Sequence, residues 1–68
     1  MNDDAINMEI RKFLKKVGIT SQREIEKALN AAMASGKLGG GEQLEVTVRL
    51  EMTEIGLVHS LQGTISLE

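Results

Sequence analysis

The spacing of the apolar residues changes once along this 68-residue chain, and that change restricts the fold more than any other feature. Before residue 38, apolar side chains recur every three or four residues, which is typical of one face of an α-helix. After the triple glycine at 39–41 they recur at every second residue, which is typical of a half-buried β-strand. The sequence therefore predicts an α+β fold with helices first and strands second.

A first amphipathic helix is predicted over about residues 3–17. Asn2, Asp3 or Asp4 can cap its N-terminus, because a short polar side chain there accepts a free backbone N–H. Gly18 follows at the position where a left-handed residue commonly ends a helix. The predicted apolar face of this helix consists of Ile6, Ile10, Phe13, Leu14 and Val17.

A second helix is predicted over about residues 21–35. Ser21 and Glu24 have the spacing of a capping box, in which each side chain binds a free N–H of the first turn. Gly36 is placed to end this helix. Its apolar face is predicted to consist of Ile25, Ala28, Leu29, Ala32 and Met33.

Two strands are predicted beyond a glycine-rich connector at 36–43, over about residues 44–53 and 57–67. The first strand is apolar at even numbers and the second at odd numbers. Residues that face each other share one side of a hairpin, so the numbers of each pair must sum to an odd value. A two-residue loop at Ile55 and Gly56 satisfies this rule and pairs Leu50 with Leu61, with His59 opposite Met52. Registers shifted by two residues satisfy it as well.

These elements predict a single domain over residues 1–68, with both helices packed on one face of the antiparallel hairpin. Such an ααββ arrangement would gather the apolar faces into one core. The residues predicted to form it are Phe13, Leu14, Val17, Ile25, Leu29, Val46, Val48 and Leu50.

Self-association is predicted because a chain this short buries only about 60 % of the surface that its unfolded form exposes. Small domains compensate with disulfides, a metal or a partner subunit. The chain has no cysteine and one histidine, which excludes disulfides, iron–sulfur clusters, thiolate zinc sites and multi-histidine sites within one chain. A homodimer joined through the free hairpin edges, the helices or both is the prediction that remains.

The residue pattern favours a non-enzymatic protein-interaction module without a cofactor. The acidic side chains alternate with apolar ones along the strands, which places them in solvent rather than in a catalytic cleft. The triple glycine lacks the preceding strand and the Lys-Ser/Thr pair of a phosphate-binding loop. A small enzyme or ligand carrier with His59 at a pocket is an alternative, although Ser60 points to the opposite face.

Nucleic-acid binding is a further alternative, because a helix–turn–helix followed by a hairpin is similar to a winged helix. The acidic overall charge of −2 disfavours it, since nucleic-acid binders carry a strong basic excess. The predicted interaction surface, for a protein partner or a nucleic acid, lies on the polar faces of the helices and comprises Met8, Arg11, Lys12, Lys15, Arg23 and Lys27.

No apolar run approaches the roughly 18 residues of a membrane span. The first residues are acidic, whereas those of a signal peptide are basic. These two features predict a protein of the cytoplasm that does not bind membranes.

The block from Asn7 to Ala28, NMEIRKFLKKVGITSQREIEKA, resembles the opening of a small bacterial family of uncharacterised proteins. The resemblance implies a complete small protein of two helices followed by β-structure. It implies no activity, cofactor or site residue.

Overall fold

The computed structural model describes all 68 residues and contains one helix, two strands and one short turn helix. The helix α1 is Asp3–Ala34, the strands β1 and β2 are Gln43–Met52 and Leu57–Ser66, and the turn helix is Thr53–Ile55. The α+β class is therefore confirmed. Contacts divide the chain into two compact units, Met1–Lys37 and Leu38–Glu68, and the single domain predicted from the sequence stays a prediction.

The prediction of two helices is wrong, because α1 runs without interruption through the predicted break. Gly18 keeps a negative φ, and the Thr20 hydroxyl donates to the Lys16 carbonyl at 2.8 Å, a bond typical of a helix interior. A break would leave four N–H and four C=O groups without helical partners. One internal glycine costs only about 0.5–1 kcal/mol relative to alanine, so continuing the helix is favoured.

The two ends of α1 follow the sequence prediction. Asn2 caps the first turn, and its side-chain oxygen accepts the N–H of Ala5 at 3.2 Å. Gly36 ends the helix with a φ of +79°, and the Lys37 N–H returns to the Ala32 carbonyl at 2.9 Å. This is the Schellman arrangement, which satisfies the last free carbonyls and favours glycine at the left-handed position.

The antiparallel hairpin confirms the predicted parity but not the predicted loop. Leu50 faces His59 rather than Leu61, and Met52 faces Leu57. The two residue numbers of each pair therefore sum to 109 instead of 111. A two-residue loop needs a positive φ at its first central residue, which β-branched Ile55 avoids. The four-residue loop places the positive φ at Gly56 alone, whose N–H donates to the Thr53 carbonyl.

Neither unit forms a closed core of its own, because no side chain of the protein is buried. Phe13, the only aromatic residue, is 57 % exposed, and Val48 is 45 % exposed. The best-covered apolar residues of the predicted core are only half-buried, namely Val17, Ile25, Leu29, Val46 and Leu50. Each unit is therefore an amphipathic element that does not bury its apolar face by itself.

Candidate functional site

The apolar face of the hairpin is a continuous surface formed by both strands. Pairs of opposite residues alternate between this face and a polar one, as the period of two requires. Leu61 is a large apolar side chain of this face and lies opposite Val48. Its exposed fraction is nevertheless 61 %. We call this surface the hairpin apolar face; it comprises Leu44, Val46, Val48, Leu50, Met52, Leu57, His59, Leu61, Gly63 and Ile65.

His59 lies on this apolar face opposite Leu50, not opposite Met52 as the sequence analysis predicted. Its neighbour Ser60 pairs with Arg49 on the polar face, as expected. The depression on the hairpin, with a volume of about 240 Å³, does not include His59. It is lined mainly by polar residues, namely Glu45, Thr47, Gln62 and Thr64.

The predicted interaction surface lies entirely on α1, and each of its six residues is exposed. At about 100° per residue, the continuous helix brings them within one arc of about 160°. Met8 is 71 % exposed among these cations, and Lys27 pairs with Glu24 at 3.6 Å. The winged-helix interpretation is wrong, because its turn does not exist.

The connector contains an arrangement that the sequence analysis missed. The carboxylate of Glu42 accepts the N–H groups of Gly39, Gly40 and Gly41 at 2.7, 2.8 and 3.0 Å. Three successive N–H groups that converge on one anion form a nest, and here the anion belongs to the same chain. The Glu42 carbonyl also accepts the N–H of Leu67 at 3.0 Å, which extends the hairpin ladder. A Gly-Gly-Gly-Glu sequence was the signal from which this clamp could have been predicted.

We expect the Glu42 clamp to weaken only in acid. The N–H groups of Gly39 and Gly40 stabilise the ionised carboxylate and hold the pKa of Glu42 below its ordinary value of 4.5. Because the folded pKa is lowered, the clamp stabilises the connector at neutral pH, and this stabilisation is lost as the pH falls through the folded pKa. The amide resonances of Gly39 and Gly40, followed by NMR from neutral pH to pH 2, measure this transition.

Glu42→Gln is the matched control for the clamp, since it keeps the shape of the side chain but removes its charge. The glycine resonances of this variant should lose their pH dependence and resemble those of the wild type in acid. A midpoint at or above 4.5 in the wild type would contradict the clamp.

No group of three or more His, Asp or Glu side chains gathers as a metal site would require. The helix α1, despite its 32 residues, lacks an apolar stretch suited to crossing a membrane. The surfaces on which a partner could bind are therefore the hairpin apolar face, the apolar side of α1 and the cationic side of α1.

Comparison with known proteins places the chain in one family. The model of a family of unknown function, DUF6494, matches residues 1–68, so the chain belongs to this family. The resemblance predicted from the opening block is thus confirmed as membership of an uncharacterised family. No curated protein and no solved structure matched the chain.

Proposed function

We propose that this protein is a small non-enzymatic interaction module that assembles with a second copy of itself as a homodimer. The observation that carries the proposal is the complete absence of buried side chains. An isolated two-stranded hairpin is marginal in water, and most helices depend on packing of their apolar face. Each unit by itself therefore leaves an apolar face uncovered, and a second copy can supply the cover.

A second copy is the occupant that the chain itself favours. A twofold interface uses the same patch on both subunits, and the apolar faces of α1 and the hairpin supply such patches. Residues 1–38 carry a net charge of +2 and residues 39–68 one of −4, so unlike charges are available between copies. A cytoplasmic location belongs to the same proposal and is consistent with a chain that needs no disulfide.

Sedimentation equilibrium across roughly 1–100 µM tests the proposal, a range that covers micromolar dissociation constants. We expect a mass of twice 7.4 kDa at the upper end and a far-UV circular dichroism signal that weakens on dilution. A mass of 7.4 kDa with undiminished structure at every concentration would overturn it.

Nucleic-acid binding is a second candidate, favoured by one observation. Arg11, Lys12, Lys15 and Lys16 lie within six residues of α1, and none of them forms an ion pair in the chain. Retention of the protein on immobilised duplex DNA that is lost as the salt concentration rises would indicate nucleic-acid binding, because phosphate contacts weaken steeply with salt. Apolar self-association persists in high salt instead, and we expect this persistence.

A further inference from the structure

The outer edge of β1 carries a regular row of free backbone groups. The sheet has two strands, so each strand is hydrogen-bonded on one side only. In an antiparallel pair, alternate residues direct their N–H and C=O groups to the neighbouring strand, and the others direct theirs outward. The bond from the Leu67 N–H to the Glu42 carbonyl continues the ladder, so the even-numbered residues of β1 face β2. The residues with outward backbone groups are therefore Gln43, Glu45, Thr47, Arg49 and Glu51.

The charges of β1 belong to these same outward residues. Glu45 is exposed and has no ion pair within the chain, whereas Arg49 pairs with Glu51. The Arg49 side chain is still 62 % exposed, and its guanidinium has donors left for a second carboxylate. Glu45 and Arg49 lie two residues on either side of Thr47, the middle one of the five. The charged side chains are thus arranged symmetrically about Thr47, with opposite signs at the two positions nearest to it.

A second copy can add its own β1 to this edge about a twofold axis perpendicular to the sheet. The two β1 strands are then antiparallel, and both hairpin apolar faces lie on the same side. Residues that face each other across the new pair share a face, so their numbers sum to an even value. The result is a four-stranded sheet, and sheets of three or more strands with an apolar face are far more stable than a lone hairpin.

Only one register pairs all the outward residues of β1 with one another. When the numbers sum to 94, Gln43 faces Glu51, Glu45 faces Arg49, and Thr47 faces its own copy. Each free N–H and C=O group of the edge then has a partner of the same kind on the second strand. The sum of 96 instead places Gln43 opposite Thr53, which belongs to the turn helix and not to the strand.

The charges favour the same register. The sum of 94 places Glu45 opposite Arg49 twice, once on each side of the axis, and opposite charges across a strand pair are stabilising. The sum of 96 places Glu45 opposite Glu51 twice, and like charges directly opposite are destabilising. Backbone groups and side-chain charges therefore agree on the pairing centred at Thr47.

The edge of β2 is less suited to such a pairing. This strand contains no Asp, Glu, Lys or Arg, so no charge pair distinguishes one register from another. Gly63 lies inside the strand, where a glycine weakens pairing because it has no side chain to pack. A contact of β1 with the β2 edge of another copy is heterologous and extends into an open filament, whereas a contact of β1 with β1 closes as a dimer.

We propose that the two copies are joined edge to edge through their β1 strands, antiparallel and centred on Thr47, with Glu45 of each copy bound to Arg49 of the other. This inference rests on the proposed self-association and adds its edge and register. The two hairpin apolar faces then form one continuous surface on one side of a four-stranded sheet.

Disulfide mapping tests the register, since the chain contains no cysteine of its own. Thr47→Cys is oxidised and the products are separated on a non-reducing gel. The Cα atoms of hydrogen-bonded antiparallel partners lie about 5.5 Å apart, which a disulfide can bridge. Gln62→Cys is the matched control, because Gln62 faces Thr47 on the same hairpin but belongs to the other edge. We expect at least about tenfold more covalent dimer from Thr47→Cys than from Gln62→Cys.

The other outcomes separate the two proposals. A dimeric mass in sedimentation without a cross-link at Thr47→Cys would overturn the edge pairing and keep the self-association. Cross-linking of Gln62→Cys or Val48→Cys in its place would do the same, since Gln62 reports the β2 edge and Val48 the register with the sum of 96. A monomeric mass would overturn both proposals.

A charge exchange tests the ion pairs without a cysteine. Glu45→Arg places like charges opposite each other on both sides of the axis, and we expect the dissociation constant to rise at least about tenfold. The double variant Glu45→Arg with Arg49→Glu restores opposite charges between the copies, so its dissociation constant should return to within about threefold of the wild type. Glu54→Arg, which makes the same change of charge in the turn helix, should assemble like the wild type. A double variant that assembles no better than Glu45→Arg would contradict the register.

Discussion

Replacing Val48 by glutamate is expected to abolish self-association at micromolar concentrations and to unfold most of the hairpin. Val48 lies in the middle of the hairpin apolar face opposite Leu61. Burial of a valine side chain stabilises by about 1.5–3 kcal/mol, and a charge removed from water without a partner costs several kcal/mol. The dissociation constant should rise by at least about 100-fold, which sedimentation equilibrium measures directly.

Thr47→Glu is the matched control for this experiment. Thr47 is the preceding residue of the same strand and faces Gln62 on the polar side of the hairpin. The two variants introduce the same charge and the same low strand propensity, so they differ only in the face that they alter. Equal behaviour of the two variants, or wild-type assembly of Val48→Glu, would show that the hairpin apolar face is not covered.

Replacing Phe13 by alanine is the second change with a large expected effect. In a packed core this substitution costs about 3–5 kcal/mol, but Phe13 is 57 % exposed in the single chain. If a second copy covers the ring, as the proposed self-association implies, most of the cost should arise in the assembly. We expect the dissociation constant to rise by at least about 100-fold and the unfolding midpoint to fall at high protein concentration.

The concentration dependence separates this result from an ordinary core defect. A residue buried within one chain would destabilise it equally at every concentration, whereas Phe13→Ala should have little effect in dilute solution. Met8→Ala is the control, because Met8 lies on the opposite side of α1 and is 71 % exposed. Equal shifts for both variants would contradict a role of Phe13 in the interface.

The local elements were largely predictable because they depend on neighbours in the sequence. The N-cap at Asn2 and the left-handed end at Gly36 follow from backbone groups that each helix terminus leaves free. The odd-sum pairing of the strands follows from the alternation of their side chains. Neither feature requires knowledge of distant residues.

The structure departs from the sequence prediction where one local preference competes with another. Gly18 and the Ser21–Glu24 spacing fit a helix boundary, yet the hydrogen bonds of a continuous helix outweigh the small cost of one glycine. Ile55 fits no tight two-residue turn, and the structure resolves this conflict with a longer loop. The glycine run alone predicts a connector, and only the structure shows that the Glu42 carboxylate binds its N–H groups.

The sequence by itself determined the class of the fold, the helix ends, the parity of the strands and the amphipathic character of each element. These properties depend on local backbone geometry and on the periodicity of apolar residues. The structure decided that one helix replaces two and that no side chain of the chain is buried. The physical reason is that burial depends on which surfaces meet in space, and the period of apolar residues within one element does not specify those surfaces.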